Sequence, residues 1–168
     1  MTVSPNDSVL ASCSQDKSIR LWNTSDLTPI ATLNGHKRGV WRLQFSPVEK
    51  VLASCSGDRT VKLWSMGDFS CLRTFDGSSA SVLCVRFVNK GSQLLSGSAD
   101  GLVRLWTVRS GECENTFDRH LDKIWALATL EKHLMEEDDG DVVISHGARG
   151  NIRLCGYDSR DGVAGRFE

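Results

Sequence analysis

The chain has 168 residues, 40% hydrophobic, 24% charged and 7% aromatic, with a formal net charge of −1. These values describe one ordinary soluble domain and exclude collagen-like and charge-driven disordered chains. No run reaches the roughly 20 consecutive apolar residues of a bilayer span, and the opening residues have neither the basic start nor the apolar stretch of a secretory signal, so an intracellular protein is expected.

Apolar and polar residues alternate with a period of two in short segments, the signature of half-buried strands. In chain order, strands are expected over residues 9–13, 19–23 and 30–33, then 40–46, 51–55, 60–65 and 70–75. Turn residues at 47–50, Gly57-Asp58 and 66–68 separate the second group. A third group follows at 82–87, 93–98, 102–108 and 113–117, and a fourth at 124–129, 141–145 and 151–155.

These groups are copies of one unit. Asp16-Lys-Ser-Ile-Arg-Leu-Trp22, Asp58-Arg-Thr-Val-Lys-Leu-Trp64 and Asp100-Gly-Leu-Val-Arg-Leu-Trp106 share an outline, with tryptophans 42 residues apart. A damaged copy, Arg149-Gly-Asn-Ile-Arg-Leu-Cys155, arrives seven residues late. The excess fits the acidic stretch at 136–141, read as a solvated, mobile loop insertion rather than a calcium site. Ser12, Ser54 and Ser96 each precede the aspartate by four. A period near 42 with four short strands per unit marks a β-propeller blade.

The second unit, with Gly35, His36, Ser54, Asp58 and Trp64, resembles the WD-repeat pattern. That resemblance implies an all-β fold: a partial propeller of about four antiparallel four-stranded blades, the first and last incomplete. Residues 1–158 would form it, with units ending at Trp22, Trp64, Trp106 and Cys155, and 159–168 an irregular tail. It also implies that Trp64, Ser54, His36 and Asp58 form a structural chain of hydrogen bonds. A Ser/His/Asp set invites comparison with a catalytic triad, but here those groups are committed to the fold, and no enzyme is expected. Partial sets remain at Ser12, Asp16 and Trp22, at Ser96, Asp100 and Trp106, and at His120 and Ser145. The third unit has Asp76-Gly77-Ser78 in place of Gly-His, and the first lies too close to residue 1 to contain its histidine. WD propellers most often resemble seven blades, so four units are a slice and the chain is expected to begin inside a repeat.

The remaining chemistry is thin. The six cysteines form no C-x-x-C pair and are read as buried strand residues. His133 and His146 lack a metal-ligand spacing, and no phosphate loop is present. Neither a cofactor nor a small-molecule substrate is expected. Arg20, Lys62, Arg104 and Arg153, two before each Trp or Cys, read as a strand face. Charge is uneven: residues 1–64 carry +3, 65–111 carry +2 and 112–168 carry −6.

In WD propellers, partner contacts tend to fall on the loops entering the first strand and on the turn before the aspartate. Here those positions are Gln15, Lys37, Arg38, Gly39, Arg59, Ser79, Ser81 and Lys123, small or basic and suited to an acidic peptide or a phosphate. Several stretches outside the general pattern, among them Gly35-His-Lys-Arg-Gly-Val-Trp-Arg-Leu-Gln-Phe-Ser-Pro47, Cys71-Leu-Arg-Thr-Phe75 and His120-Leu-Asp-Lys-Ile-Trp-Ala-Leu127, resemble the transducin-beta-like protein three family over about residues 1–130. That resemblance implies a nucleolar scaffold of the small-subunit processome acting in pre-rRNA processing. Its partners would be protein subunits of a pre-ribosomal particle, with snoRNA or pre-rRNA contact inside the complex. The alternative is a substrate receptor of a cullin-type ubiquitin ligase. Such receptors often carry Trp-Asp-x-Arg, whereas Trp22-Asn23, Trp64-Ser65 and Trp106-Thr107 lack the aspartate.

Overall fold

A computed structural model describes the backbone of residues 1–118, 120–131, 140–147, 152–158 and 164–165, with side chains described for 1–118, 120–129 and Gly147. His133, Arg149 and most of the acidic insertion lie outside the described residues, as do the side chains of Ser145, His146, Arg153 and Cys155.

The strands form four antiparallel sheets, each ordered as in the chain. Blade 1 is β1 (Thr2–Val3), β2 (Val9–Cys13), β3 (Ile19–Asn23) and β4 (Pro29–Leu33). Blade 2 is β5 (Val40–Phe45), β6 (Val51–Ser56), β7 (Thr60–Ser65) and β8 (Cys71–Asp76). Blade 3 is β9 (Val82–Val88), β10 (Gln93–Ser98), β11 (Leu102–Thr107) and β12 (Cys113–Asp118). Blade 4 is β13 (Ile124–Glu131), β14 (Gly140–Gly147), β15 (Ile152–Asp158) and β16 (Ala164–Gly165). Two expectations change in detail. The first unit does contain a first strand, shortened to two residues, and the stretch read as an irregular tail holds β16, which pairs with β15.

Consecutive sheets pack face to face in chain order, so the blades form an arc rather than a closed ring. Burial follows from that stacking. The middle strands of blades 2 and 3 are covered on both faces, and every residue of β10 is buried. The fourth strands of blades 2 and 3 each keep one buried residue, Phe75 in β8 and Phe117 in β12. An antiparallel strand at an outer edge can face water on one side, which permits this pattern.

The repeat tryptophans of blades 2 and 3 are wedges into the sheet before them. Trp64 of blade 2 shares a core cluster with Ala11, Ile19, Leu21 and Leu33 of blade 1. Trp106 of blade 3 meets Phe75 of blade 2 edge-to-face, with ring centroids 5.7 Å apart. A buried aromatic removes more apolar area than any other side chain, and such a pair adds about 0.5–1.5 kcal/mol. The repeat tryptophan therefore fastens two blades as well as finishing a strand.

The cysteines require a correction. Cys55 and Cys84 are buried and Cys13 is half-buried, but Cys71 and Cys113 are exposed. Both exposed thiols open a fourth strand, where one face has no sheet above it. Burial holds the Cys84 thiol up at about 12, which keeps it protonated and unreactive.

The turns repeat as faithfully as the strands. Lys17, Arg59 and Gly101 occupy one register position with φ of 74°, 73° and 83°, and Leu27, Phe69 and Gly111 occupy another with φ of 57°, 62° and 83°. Only Gly101 is sterically obligatory among the first three, because a Cβ there would lie 2.3 Å from the His120 carbonyl oxygen. Gly101→Ala is expected to cost at least about 2 kcal/mol, combining left-handed strain with a backbone collision. Equal denaturant midpoints for this variant and the parent would contradict that packing.

Candidate partner-binding rim

The loop from Gly35 to Gly39, which enters β5, is fixed by groups from β6, β7 and the turn between them. Trp64 Nε1 donates to Ser54 Oγ at 2.8 Å, and Ser54 Oγ lies 2.7 Å from His36 Nε2. His36 Nδ1 lies 2.9 Å from Asp58 Oδ2, which also accepts the Lys37 backbone N–H at 2.8 Å. The other carboxylate oxygen accepts the Thr60 hydroxyl at 2.7 Å and its N–H at 3.1 Å. Because Ser54 already accepts from tryptophan, its own proton goes to His36 Nε2, and the imidazole carries its proton on Nδ1 for Asp58.

The electrostatics agree with that tautomer. Burial pushes the His36 imidazole below its ordinary value, against the opposing pull of Asp58. For Asp58 burial acts upward, but the Thr60 hydroxyl, the Lys37 N–H and His36 together outweigh it and hold the carboxyl at about 2. A neutral imidazole thus donates to a carboxylate whose four hydrogen bonds satisfy it in the interior. The hydroxyl and imidazole are both occupied, so Ser54 is not poised as a nucleophile.

Blade 3 solves the same problem differently. Trp106 Nε1 donates to Ser96 Oγ at 2.8 Å, as in blade 2. In place of histidine, buried Arg104 donates Nη2 to Asp100 Oδ2 at 3.0 Å and Nη1 to Ser98 Oγ at 2.9 Å. Asp100 also accepts the Ser79 hydroxyl at 2.6 Å and the hydroxyl of Ser98. Although burial acts upward, these hydrogen bonds hold the Asp100 carboxyl far below the usual range. Reading Arg104 as one of a row of strand-face cations is therefore wrong. Arg20 and Lys62 at the same register point outward, Arg20 3.5 Å from Asp16 in an exposed pair and Lys62 2.7 Å from Thr74.

In blade 1, Trp22 Nε1 donates to Ser12 Oγ at 2.9 Å, while Asp16 accepts from the Ser18 hydroxyl and N–H. At the other end of the arc, His120 is buried against Gly147, whose Cβ position lies 2.8 Å from the imidazole Nδ1. The side chain of Ser145, assigned to the same set, lies outside the described residues.

The expected partner positions separate into two kinds. Gln15, Lys37, Arg38, Arg59, Ser79 and Lys123 are exposed. Gly39 is buried, with Gln15 Cα 3.1 Å from its Cβ position, and Ser81 is half-buried with its hydroxyl toward the Gly57 carbonyl at 3.5 Å. Gly39 is thus a spacer between blades 1 and 2 rather than a contact residue. The Ser79 hydroxyl is held by Asp100. Arg38 is anchored through its carbonyl, which accepts the Ser56 hydroxyl at 3.1 Å.

Three rim residues were not singled out from the sequence. Register shifts between Val40 and Arg42 and between Ile124 and Ala126 leave Trp41 and Trp125 as the extra residues of β-bulges. Bulges re-aim side chains, and these indoles are 49% and 51% exposed, unlike the buried tryptophans of the repeat core. Trp41 Nε1 and Arg38 Cβ lie 3.2 and 3.5 Å from the Cβ position of Gly57. The glycine lets an aromatic and a cation settle against one turn. Lys17, at the register of Arg59, is the third. The signal was the 42-residue spacing itself, which also links 41 to 125 through two periods and 17 to 59 through one.

Four sheets of four antiparallel strands, the first three each carrying a Trp–Ser hydrogen bond at a fixed 42-residue period, define a repeat propeller. The chain belongs to the WD domain, G-beta repeat family, whose model matches residues 1–23, 27–65 and 69–107. Among curated proteins it is 50% identical over 45 residues to transducin beta-like protein 3 of Mus musculus, covering 27% of this chain and 6% of the relative. It is 49% identical over 41 residues to U3 small nucleolar RNA-associated protein 13 of Saccharomyces cerevisiae, covering 24% and 5%. The rat transducin beta-like protein 3 is 52% identical over 44 residues, covering 26% and 6%. The matching segments span only about one twentieth of the length of these relatives.

Proposed function

We propose that this chain is a non-catalytic WD-repeat scaffold acting in ribosome biogenesis, as part of the small-subunit processome in the nucleolus. The observation that carries the reading is the half-identical segment shared with transducin beta-like protein 3 and U3 small nucleolar RNA-associated protein 13. The rim supports it physically. Lys37, Arg38, Arg59 and Lys17 are cations on loops held rigid by Asp58, Ser56 and the turn backbone, and Trp41 lies beside Arg38. A cation array with an exposed indole suits an acidic protein segment, with nucleic-acid contact confined to the assembled particle. Pre-positioned charge acts chiefly on association rate and selectivity.

The test is the pair Lys37→Glu and Arg38→Glu in this chain, followed by sedimentation with pre-ribosomal complexes from nuclear extract. The wild type is expected in the heavy fractions and the charge-reversed chain there at about one tenth the level, with an unchanged thermal melt. Unaltered co-sedimentation would remove the loop from the interface. A wild-type chain found only free, or with a cullin adaptor, would overturn the processome reading.

A further inference from the structure

The bulges that open β5, β9 and β13 place residues of one register on the rim. Trp41 and Trp125 are the extra residues of the first and the third. In the second, Cys84 pairs with Gly97 and Val82 with Ser98, which leaves the half-buried Leu83 as the extra residue. Two exposed indoles therefore flank a lower aliphatic step. The floor between them is continuous. Gly57, against which Trp41 rests, donates its N–H to the Gly39 carbonyl at 3.0 Å, and its own carbonyl receives the Ser81 hydroxyl at 3.5 Å. The Ser81 carbonyl accepts the Ala99 N–H at 2.8 Å. Gly101 then packs against the carbonyls of His120 and Asp122, in the loop that leads to Trp125. None of Gly57, Ser81, Ala99 and Gly101 has a side chain larger than a hydroxymethyl group, so the ledge is low.

The two ends of the ledge differ in charge. At the blade 2 end Lys37, Arg38, Arg42 and Arg59 are exposed, and among the described residues none of them forms an ion pair. The carboxylates of the neighbouring turns, Asp58 and Asp100, are engaged by His36 and Arg104. At the blade 4 end Lys123 follows Asp122, while Leu121 is 99% exposed and Trp125 51%. One end is cationic and the other apolar. Packed sheets lie roughly 10 Å apart, so two blade steps separate the indoles by about 20 Å. An extended chain covers that distance in about six residues. An even spacing matters, because side chains at its two ends point to the same face of a strand.

We propose that the rim binds one extended acidic polypeptide segment across three blades, with apolar side chains about six residues apart on Trp41 and Trp125 and its carboxylates at the Arg38 end. The inference rests on the rim's being a partner surface, as proposed above, and adds the length, polarity and spacing of what it takes. A single-stranded nucleic acid carries a phosphate at every nucleotide and is tracked by cations along its whole path, whereas Ser79, Ser81 and Ala99 supply none at the middle of this one. A peptide with acid at one end and an apolar residue at the other matches both.

The experiment titrates the whole chain with synthetic peptides of glutamate and serine, about twelve residues long, that carry two leucines about four to eight residues apart. Calorimetry and indole fluorescence read the binding. The tightest complex is expected at a spacing of about six, with the neighbouring odd spacings at least about ten-fold weaker, a change equivalent to about 1.4 kcal/mol. Trp41→Ala and Trp125→Ala should each reduce the best peptide to the affinity of one carrying a single leucine, since either loss ends the two-point attachment. Equal affinity at every spacing, or indifference to Trp125→Ala, would overturn the proposal. So would an oligouridylate that binds more tightly than the best peptide and quenches both indoles, which would assign the ledge to nucleic acid. The spacing series uses the unaltered chain and decides alone should an indole variant unfold. Spacing dependence in a chain that fails to sediment with pre-ribosomal complexes would keep this inference and remove the particle; co-sedimentation without spacing dependence would do the reverse.

Discussion

Arg104→Ala is expected to destabilise the chain by about 3–5 kcal/mol, whereas Arg20→Ala at the equivalent position of blade 1 changes stability by less than about 1 kcal/mol. The two arginines occupy the same place in the repeat and differ only in surroundings. The Arg104 guanidinium is 8% exposed and reaches both Asp100 and Ser98. Its removal leaves Asp100, 12% exposed, with hydrogen bonds but no opposite charge. Arg20 is 56% exposed, and water replaces what it gives Asp16. Denaturant melts of the two variants separate these outcomes. A further arm asks whether arginine stands in for the histidine that blade 3 lacks. Ser78 is 42 residues beyond His36, so Ser78→His added to Arg104→Ala should recover part of the loss. Equal effects of Arg104→Ala and Arg20→Ala would show that the buried pair contributes nothing.

His36→Ala is expected to cost about 1–3 kcal/mol, because it leaves Ser54 and Asp58 each short of a buried partner. It should also reshape the acid side of the stability profile. The imidazole is held below its ordinary value of 6.5 in the folded chain, chiefly by burial. As pH falls through about 6.5, the unfolded chain takes up a proton that folded His36 does not, so stability declines with falling pH. The Asp58 carboxyl, at about 2 against an ordinary 3.8, adds a second decline as pH falls from about 4 toward 2. The variant should lack the first decline and keep a reduced second one. A slope between pH 6.5 and 5 that is identical in parent and variant would show that His36 is not the titrating group.

Strand positions were legible because the alternation of β7 and β11 is repeated three times with one period, and agreement among copies removes the ambiguity of any single short segment. What the repeat could not convey was difference between copies. Arg20, Lys62 and Arg104 look alike in sequence; only Gly77-Ser78, in a separate loop, turns one of them inward. Cys55 and Cys71 are likewise both strand cysteines, yet one lies in a strand covered on two faces and the other at an open edge. Trp41 and Trp125 obeyed the period but lie outside the Trp, Ser, His and Asp positions that define the repeat pattern. A one-residue bulge, invisible in a pattern of period two, turned them outward. β1 escaped notice because two residues are too few to alternate.

The hydrogen bonds of blade 2 also impose an order in time. The Lys37-Arg38 loop is made before β5, but the groups that hold it, Ser54, Asp58 and Trp64, come 18 to 28 residues after His36 in the chain. During synthesis the loop stays untethered until the third strand of its own blade has left the ribosome. Closure is then local in sequence and correspondingly fast. This rim loop is thus licensed by the blade that follows it, and a chain interrupted between Arg38 and Trp64 would display the right residues without the posture that makes them a surface.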